Sequence, residues 1–227
     1  MKMTLRALSA LLSYPSQDLQ DHVSDIRSAL AAERALPKAA LERLETLLAW
    51  IQTQDLLDVQ CAYSDLFDRS PALSLHLFEH VHGESRERGQ AMISLGELYI
   101  DYGFMMVGGE LPDFLPMFLE FSSCLPAGEA KQHLSEPAHV FAALEERLSE
   151  RGSPYAGVFY ALIAATGARP DEEALTNLRQ RLDKDKSLDE EWEEKPVDFG
   201  RPISANKASA NVISRIQASS GTRQPRN

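Results

Sequence analysis

Pro37-Lys-Ala-Ala-Leu41-Glu-Arg-Leu44-Glu-Thr-Leu47-Leu48-Ala-Trp-Ile51-Gln52 sets the class of fold. Its large apolar side chains recur three and four residues apart, which places them on one stripe of a helix, with charged and polar groups opposite. A proline in the first turn is tolerated there, because that N–H would have no partner in any case. The same period continues in both directions. Leu5, Leu8, Leu11 and Leu12 form an opening helix that Tyr14-Pro15 stops, since a proline disfavours helical geometry in the residue before it. Leu56, Val59, Tyr63, Leu66 and Phe67 follow on one face. Ser70-Pro71 reads as an N-cap with proline at the first helical position, predicting a helix through Leu73, Leu77 and Phe78 to about Val81.

Further along, Gly83 and Gly89 bracket Glu84-Ser85-Arg86-Glu87-Arg88, which reads either as a loop or as an exposed helix start. From Gln90 to Met106 the helical pattern resumes through Met92, Ile93, Leu95, Leu98, Tyr99, Tyr102 and Met106, and Gly108-Gly109 is its expected end. Leu111-Pro112-Asp113 opens a helix carrying Phe114, Leu115, Met117, Phe118 and Phe121. The stretches 128–150 and 154–166 are helical by the same test, with Gly167 closing the second. Arg169-Pro170-Asp171-Glu172-Glu173 starts a last helix with acids in its first turn. There is no hairpin signal and no internal repeat. The expectation is an all-α, single-domain bundle of some ten helices over residues 1–183.

Composition changes after residue 183. Asp183 to Lys195 carries seven acids and three lysines, and Gly200 onward carries five basic residues and no acid among Ser, Ala, Asn and Gln. Residues 184–227 therefore read as an acidic then basic tail, largely disordered, with Trp192, Val197 and Phe199 as its large apolar anchors.

Over the 227 residues, 34 acidic side chains face 23 basic ones, giving a net charge of −11. A nucleic-acid partner is disfavoured, because phosphate neutralisation needs a basic face, and a basic ligand or peptide is the better electrostatic match. Cys61 and Cys124 lie in apolar, helix-like runs and read as buried free thiols of a reducing compartment. No apolar run approaches the roughly 18–20 residues that span a bilayer. Met1–Leu12 is too short and polar for a secretory signal, so the chain is read as cytoplasmic with no membrane insertion.

The densest chemistry lies in residues 74–92, which hold three of the six histidines. His76-Leu77-Phe78-Glu79-His80 matches H-x-x-E-H, in which two histidines hold zinc and the glutamate activates water. A small zinc hydrolase centred on His76, Glu79 and His80 is the enzymatic alternative. It needs a third ligand; Glu145, Glu146 and Glu150 are available and nothing selects among them. Phosphate-binding glycine loops and nucleophile elbows are absent, and Cys61 has no basic neighbour in sequence to activate it.

The whole run Ser74-Leu-His76-Leu-Phe-Glu-His80-Val-His82-Gly-Glu84-Ser-Arg86-Glu-Arg88-Gly-Gln-Ala-Met92 resembles the hallmark stretch of the NarJ family, the assembly chaperones or delta subunits of respiratory nitrate reductase. Leu11-Leu-Ser-Tyr14-Pro15, Tyr63-Ser-Asp-Leu-Phe67-Asp-Arg69, and Glu110-Leu-Pro-Asp113-Phe114-Leu-Pro116 with Leu119-Glu-Phe121 agree in order and spacing, as does Trp192-Glu-Glu-Lys-Pro-Val197 more loosely. The resemblance implies an all-helical chaperone of the twin-arginine molybdoenzyme type, not an enzyme, with no cofactor of its own. It implies binding to the apo catalytic (alpha) subunit of nitrate reductase, partly through that subunit's N-terminal peptide. The client is held in the cytoplasm for insertion of the molybdenum cofactor and an iron–sulfur cluster before membrane docking, and the chaperone is not part of the final enzyme. A sibling chaperone for a different molybdoenzyme is a further alternative.

A partner helix needs an apolar groove. The expected walls are Phe67, Leu77, Phe78, Phe114, Leu115 and Phe118. Glu79, Glu84 and Asp113 are the expected acidic rim, His80 and His82 are expected near the groove, and Arg86 and Arg88 stand in the charged segment beside it.

Overall fold

The computed structural model describes residues 1–83, 85–106 and 109–181. The chain runs through α1 (Lys2–Leu12), α2 (Gln17–Asp21), α3 (Val23–Glu33), α4 (Lys38–Thr53), α5 (Leu56–Phe67), a 3-10 turn (Pro71–Leu73), α6 (Leu77–His82), α7 (Arg86–Asp101), α8 (Leu115–Cys124), α9 (Ala127–Ser135), α10 (Ala138–Glu150), α11 (Ala156–Thr166) and α12 (172–181). Among the described residues there is no strand, only an isolated antiparallel bridge between His76 and Phe114. No helix among them is long and apolar enough to cross a membrane. The expected tail, its boundary at 183/184, and the anchors Trp192, Val197 and Phe199 lie outside the described residues.

The all-α expectation holds. The core forms where α1 packs along α8, and α11 packs against α10 and α4. Leu5, Leu8, Leu11 and Leu12 are all at 0% exposure, as the spacing requires. Fully burying each such side chain stabilises by about 1.5–3 kcal/mol. Helix α11 meets α4 so closely that a Cβ on Gly157 would stand 2.8 Å from the Arg43 carbonyl oxygen. Polar ties fix the layers: Ser9 Oγ donates to the Pro116 carbonyl at 2.7 Å and Tyr63 OH to the Leu12 carbonyl at 2.8 Å. Glu33 of α3 accepts from the Met3 and Thr4 N–H groups and the Thr4 hydroxyl, satisfying donors at the start of α1. Burial alone would raise the Glu33 pKa, but the Met1 amino group and these donors hold it at about 2.

Four expectations are corrected. The predicted helix from Pro71 to Val81 breaks into a 3-10 turn and α6, because residues 74–76 run extended to pair with the segment around Phe114. Helix α7 ends at Asp101, not at Gly108-Gly109. Gly103 (φ +80) follows its cap, with Gly103 N–H bonded to the Ile100 carbonyl and Phe104 N–H to the Tyr99 carbonyl, a Schellman end. The stretch 128–150 is two helices, split at Glu136-Pro137. Both cysteines are exposed; Cys61 faces away from Val59, Tyr63 and Phe67, which form the buried stripe of α5.

Candidate functional site

The hallmark stretch takes three conformations in succession. Residues 74–76 are extended: the Leu75 carbonyl accepts from Leu115 N–H at 2.8 Å, and Leu77 N–H donates to the Asp113 carbonyl at 3.1 Å. The six-residue α6 follows and ends at Gly83 (φ +56, ψ −133), then α7 begins with Ser85 in the N-cap position. For residues 85–88 the helix-start reading therefore holds, and Glu84 lies outside the described residues.

Asp113 organises the start of α6. Its side chain is wholly buried; Oδ2 accepts Phe78 N–H at 3.0 Å and Oδ1 lies 3.1 Å from His76 Nδ1. A carboxylate from the far side of the chain thus does the work of a cap for a helix whose own N-cap residue supplies none. Asp113 is therefore not a rim residue. Its hydrogen bond raises the His76 pKa against the opposing effect of burial. His80 is treated oppositely: burial lowers its pKa, and Nε2 donates to the Ser74 carbonyl at 2.7 Å.

This arrangement corrects the premise of the zinc reading. His76 precedes the first turn of α6 in extended geometry (φ −90, ψ 107), so it does not share a helical face with His80. Glu79 pairs with Arg88 of α7 at 3.0 Å. The three residues of the motif are thus directed at three different partners. Among the described residues no group of three or more His, Cys, Asp or Glu is arranged to hold a metal ion.

Beside α6 lies a groove of about 290 Å³. Leu77, Phe78, Val81 and His82 of α6 make one wall, Leu95 and Leu98 of α7 another, and Phe118 its base. His133, Glu136, Pro137 and His139 close the far side, where α9 gives way to α10. Phe78 meets the His82 ring edge-on at 5.5 Å. Burial lowers the His139 pKa. Glu136 is the acid that lines the groove, and from Gly89 to Ala130, the stretch that supplies Leu95, Leu98 and Phe118, the sequence holds six acids and no Lys or Arg. Several apolar side chains beyond the groove are also open to solvent, among them Ile93 (56%), Ile100 (66%) and Met105 (84%).

Of the residues singled out from sequence, Leu77, Phe78, His82 and Phe118 come together in the groove, with the Glu79–Arg88 pair alongside. The others go elsewhere. Phe67 belongs to an aromatic cluster with Tyr63 and Tyr155, its ring 5.2 Å from that of Tyr155. Leu115 is fully buried in the core, Phe114 lies tilted on His76 at 5.4 Å, and Arg86 is exposed in the first turn of α7. Sequence reasoning missed Val81, Leu95, Leu98, His133, Glu136, Pro137 and His139. The one local signal for the far wall was Pro137, which interrupts a helical pattern and so marks a corner.

The family model and the relatives that cover most of this chain agree. A family model described as nitrate reductase delta subunit matches residues 33–161, which include every residue of the groove. The nitrate reductase molybdenum cofactor assembly chaperone NarJ of Escherichia coli (strain K12) is 42% identical over 195 residues, 85% of this chain and 83% of that protein. The probable nitrate reductase molybdenum cofactor assembly chaperone NarW of the same strain is 37% identical over 198 residues, covering 86% and 83%. The probable chaperone NarJ of Bacillus subtilis (strain 168) is 28% identical over 166 residues, covering 72% and 88%.

Proposed function

This chain belongs to the nitrate reductase delta subunit family, and on that premise we propose that it is a non-catalytic chaperone for maturation of a nitrate reductase. Its client is the apo catalytic subunit, engaged through that subunit's N-terminal segment and held in the cytoplasm. Release follows insertion of the molybdenum cofactor and an iron–sulfur cluster, before membrane docking, and the chaperone does not stay in the finished enzyme.

The observation that supports this reading is the groove beside α6, apolar on its walls, with Glu136 in its lining. Its volume of about 290 Å³ lies at the small end of ligand pockets, about 300–1,000 Å³. It suits a few anchoring side chains of an amphipathic helix, not a whole cofactor. Phe78, Leu95, Leu98 and Phe118 supply the apolar contact. Glu136 offers a charge to a basic segment and biases its orientation and encounter rate.

The test is calorimetry with a synthetic peptide of the catalytic subunit's N-terminal segment. Binding with a negative heat-capacity change, abolished in Leu98→Glu, is the expected result. Equal binding by wild type and Leu98→Glu would move the site elsewhere. Pull-down from nitrate-respiring cells identifies the client, and capture of a different molybdoenzyme in place of nitrate reductase would overturn the assignment of client.

A further inference from the structure

We propose that Arg181 is a positioning residue for the groove: reaching from α12, it holds the C-terminal end of α6 and so sets how Phe78, Val81 and His82 meet a bound segment. The proposal rests on the reading of the groove as the client site.

Helix α6 has six residues, too few to stand alone in water, where helices shorter than about 12–15 residues are marginal. Its first turn is tied down by Asp113. Its last turn leaves carbonyls without partners within the helix, as every helix end does. The Glu79 carbonyl receives Gly83 N–H at 3.1 Å. Arg181 Nη2 donates to the His80 carbonyl and reaches the Glu79 carbonyl at 3.4 Å. Its Nη1 stands 3.9 Å from where a Cβ on Gly83 would lie, so the guanidinium covers the turn that ends the helix. A cation there also meets the negative end of the helix dipole.

Helix α12 is held well enough to deliver that side chain. Leu175 and Leu178 are 3% and 4% exposed. Asp171 caps the helix by accepting Ala174 N–H at 2.8 Å, and Arg179 makes a two-pronged pair with Glu146 of α10. Core anchorage therefore rests on the leucines and Arg179, which leaves Arg181 for α6. The helix lies beyond the residues 33–161 matched by the family model.

The experiment compares full-length wild type, Arg181→Ala and Arg181→Lys by thermal melting, by hydrogen exchange without ligand, and by calorimetry with the N-terminal peptide. Arg181→Ala is expected to melt within about 2 °C of wild type, to exchange the Val81, His82 and Gly83 amides roughly tenfold faster, and to bind about fivefold more weakly. Arg181→Lys keeps a cation at the helix end and is expected to recover part of both effects. Wild-type exchange in α6 and unchanged affinity in Arg181→Ala would overturn the proposal. So would a large loss of melting temperature in both variants, which would make Arg181 a residue of the fold alone. If wild type itself ignores the peptide, the client reading falls, and exchange in α6 still decides the role of Arg181.

Discussion

Helix α11 is apolar nearly all round and α7 mixes apolar with charged residues, and the two put their side chains to opposite use. In α11 eight of eleven residues are buried, and a backbone carbonyl of α4 touches its glycine face. In α7 two of sixteen are buried, Gly96 and Tyr99, while Ile93 and Ile100 face solvent and Leu95 and Leu98 line a groove. A helix with so little buried surface is maintained by its ends and ties: the Glu79–Arg88 pair, the Tyr99 hydroxyl on the Pro112 carbonyl, and the Schellman turn at Gly103. On the proposed reading of the groove, stability and client contact occupy different parts of one chain. Regions that bind and move are drawn from the low-stability end of a structure.

The contrast breaks most visibly in the core. Phe159→Ala should cost about 3–5 kcal/mol, lowering Tm by roughly 6–20 °C at about 2–4 °C per kcal/mol, whereas Leu95→Ala in α7 should cost about 1 kcal/mol or less. Equal losses in thermal melts would mean that the two helices belong to one cooperative unit. Asp113→Ala stands between them. Losing a charged acceptor for the Phe78 amide should cost about 1.5–3 kcal/mol and should speed exchange of α6 amides far more than those of α11.

Acidity sharpens the same point. His76 has a raised pKa in the fold, so its pairing with Asp113 stabilises fully below the unfolded value of about 6.5 and is lost as pH rises through the raised value. His80 has a lowered one, so its contribution is present above about pH 6.5 and is lost as pH falls. The stability advantage of wild type over Asp113→Asn should therefore be larger at pH 6 than at pH 8, read from denaturant midpoints. An advantage that grows with pH would contradict the His76 assignment. The smallest effect is expected at the surface of α7. Arg86→Ala should shift stability by no more than about 0.5 kcal/mol, and Arg88→Ala by about 0.2–1 kcal/mol through loss of its pair with Glu79. Both should reduce nitrate reductase maturation in cells by more than that loss explains. Full activity in normally melting variants would remove the functional role of these arginines.

The parts of the fold legible in sequence are those whose causes are local. Leu5 to Leu12, Leu44 to Ile51 and the helix closed by Gly167 follow from apolar period and end signals alone. The expectation of a buried Cys61 fails, and the residue is exposed, although its place two residues from both Val59 and Tyr63 puts it on the far side of α5. Residues 74–76 were not legible, since a distant segment recruits them into an extended pairing that no local period encodes. The site divides in the same way. Leu77, Phe78 and His82 stood in one recognisable run, whereas the facing wall arrives from residues 133–139 and depends on the corner at Pro137. Asp113 carried no mark that would separate a buried helix cap from a surface acid.

That split between near and far walls has a consequence for synthesis. The ribosome makes α6 well before the residue that caps it, and the wall opposite ends 57 residues after His82, at His139. At about 5–20 residues per second the delay is roughly 3–11 s. During that interval Leu77 and Phe78 have no facing wall and α6 lacks the length to persist by itself. If the groove is the client site as proposed, the nascent chain is unable to grip a client by a half-made groove, and competence to bind arrives late, together with the core helices that make the chain stable.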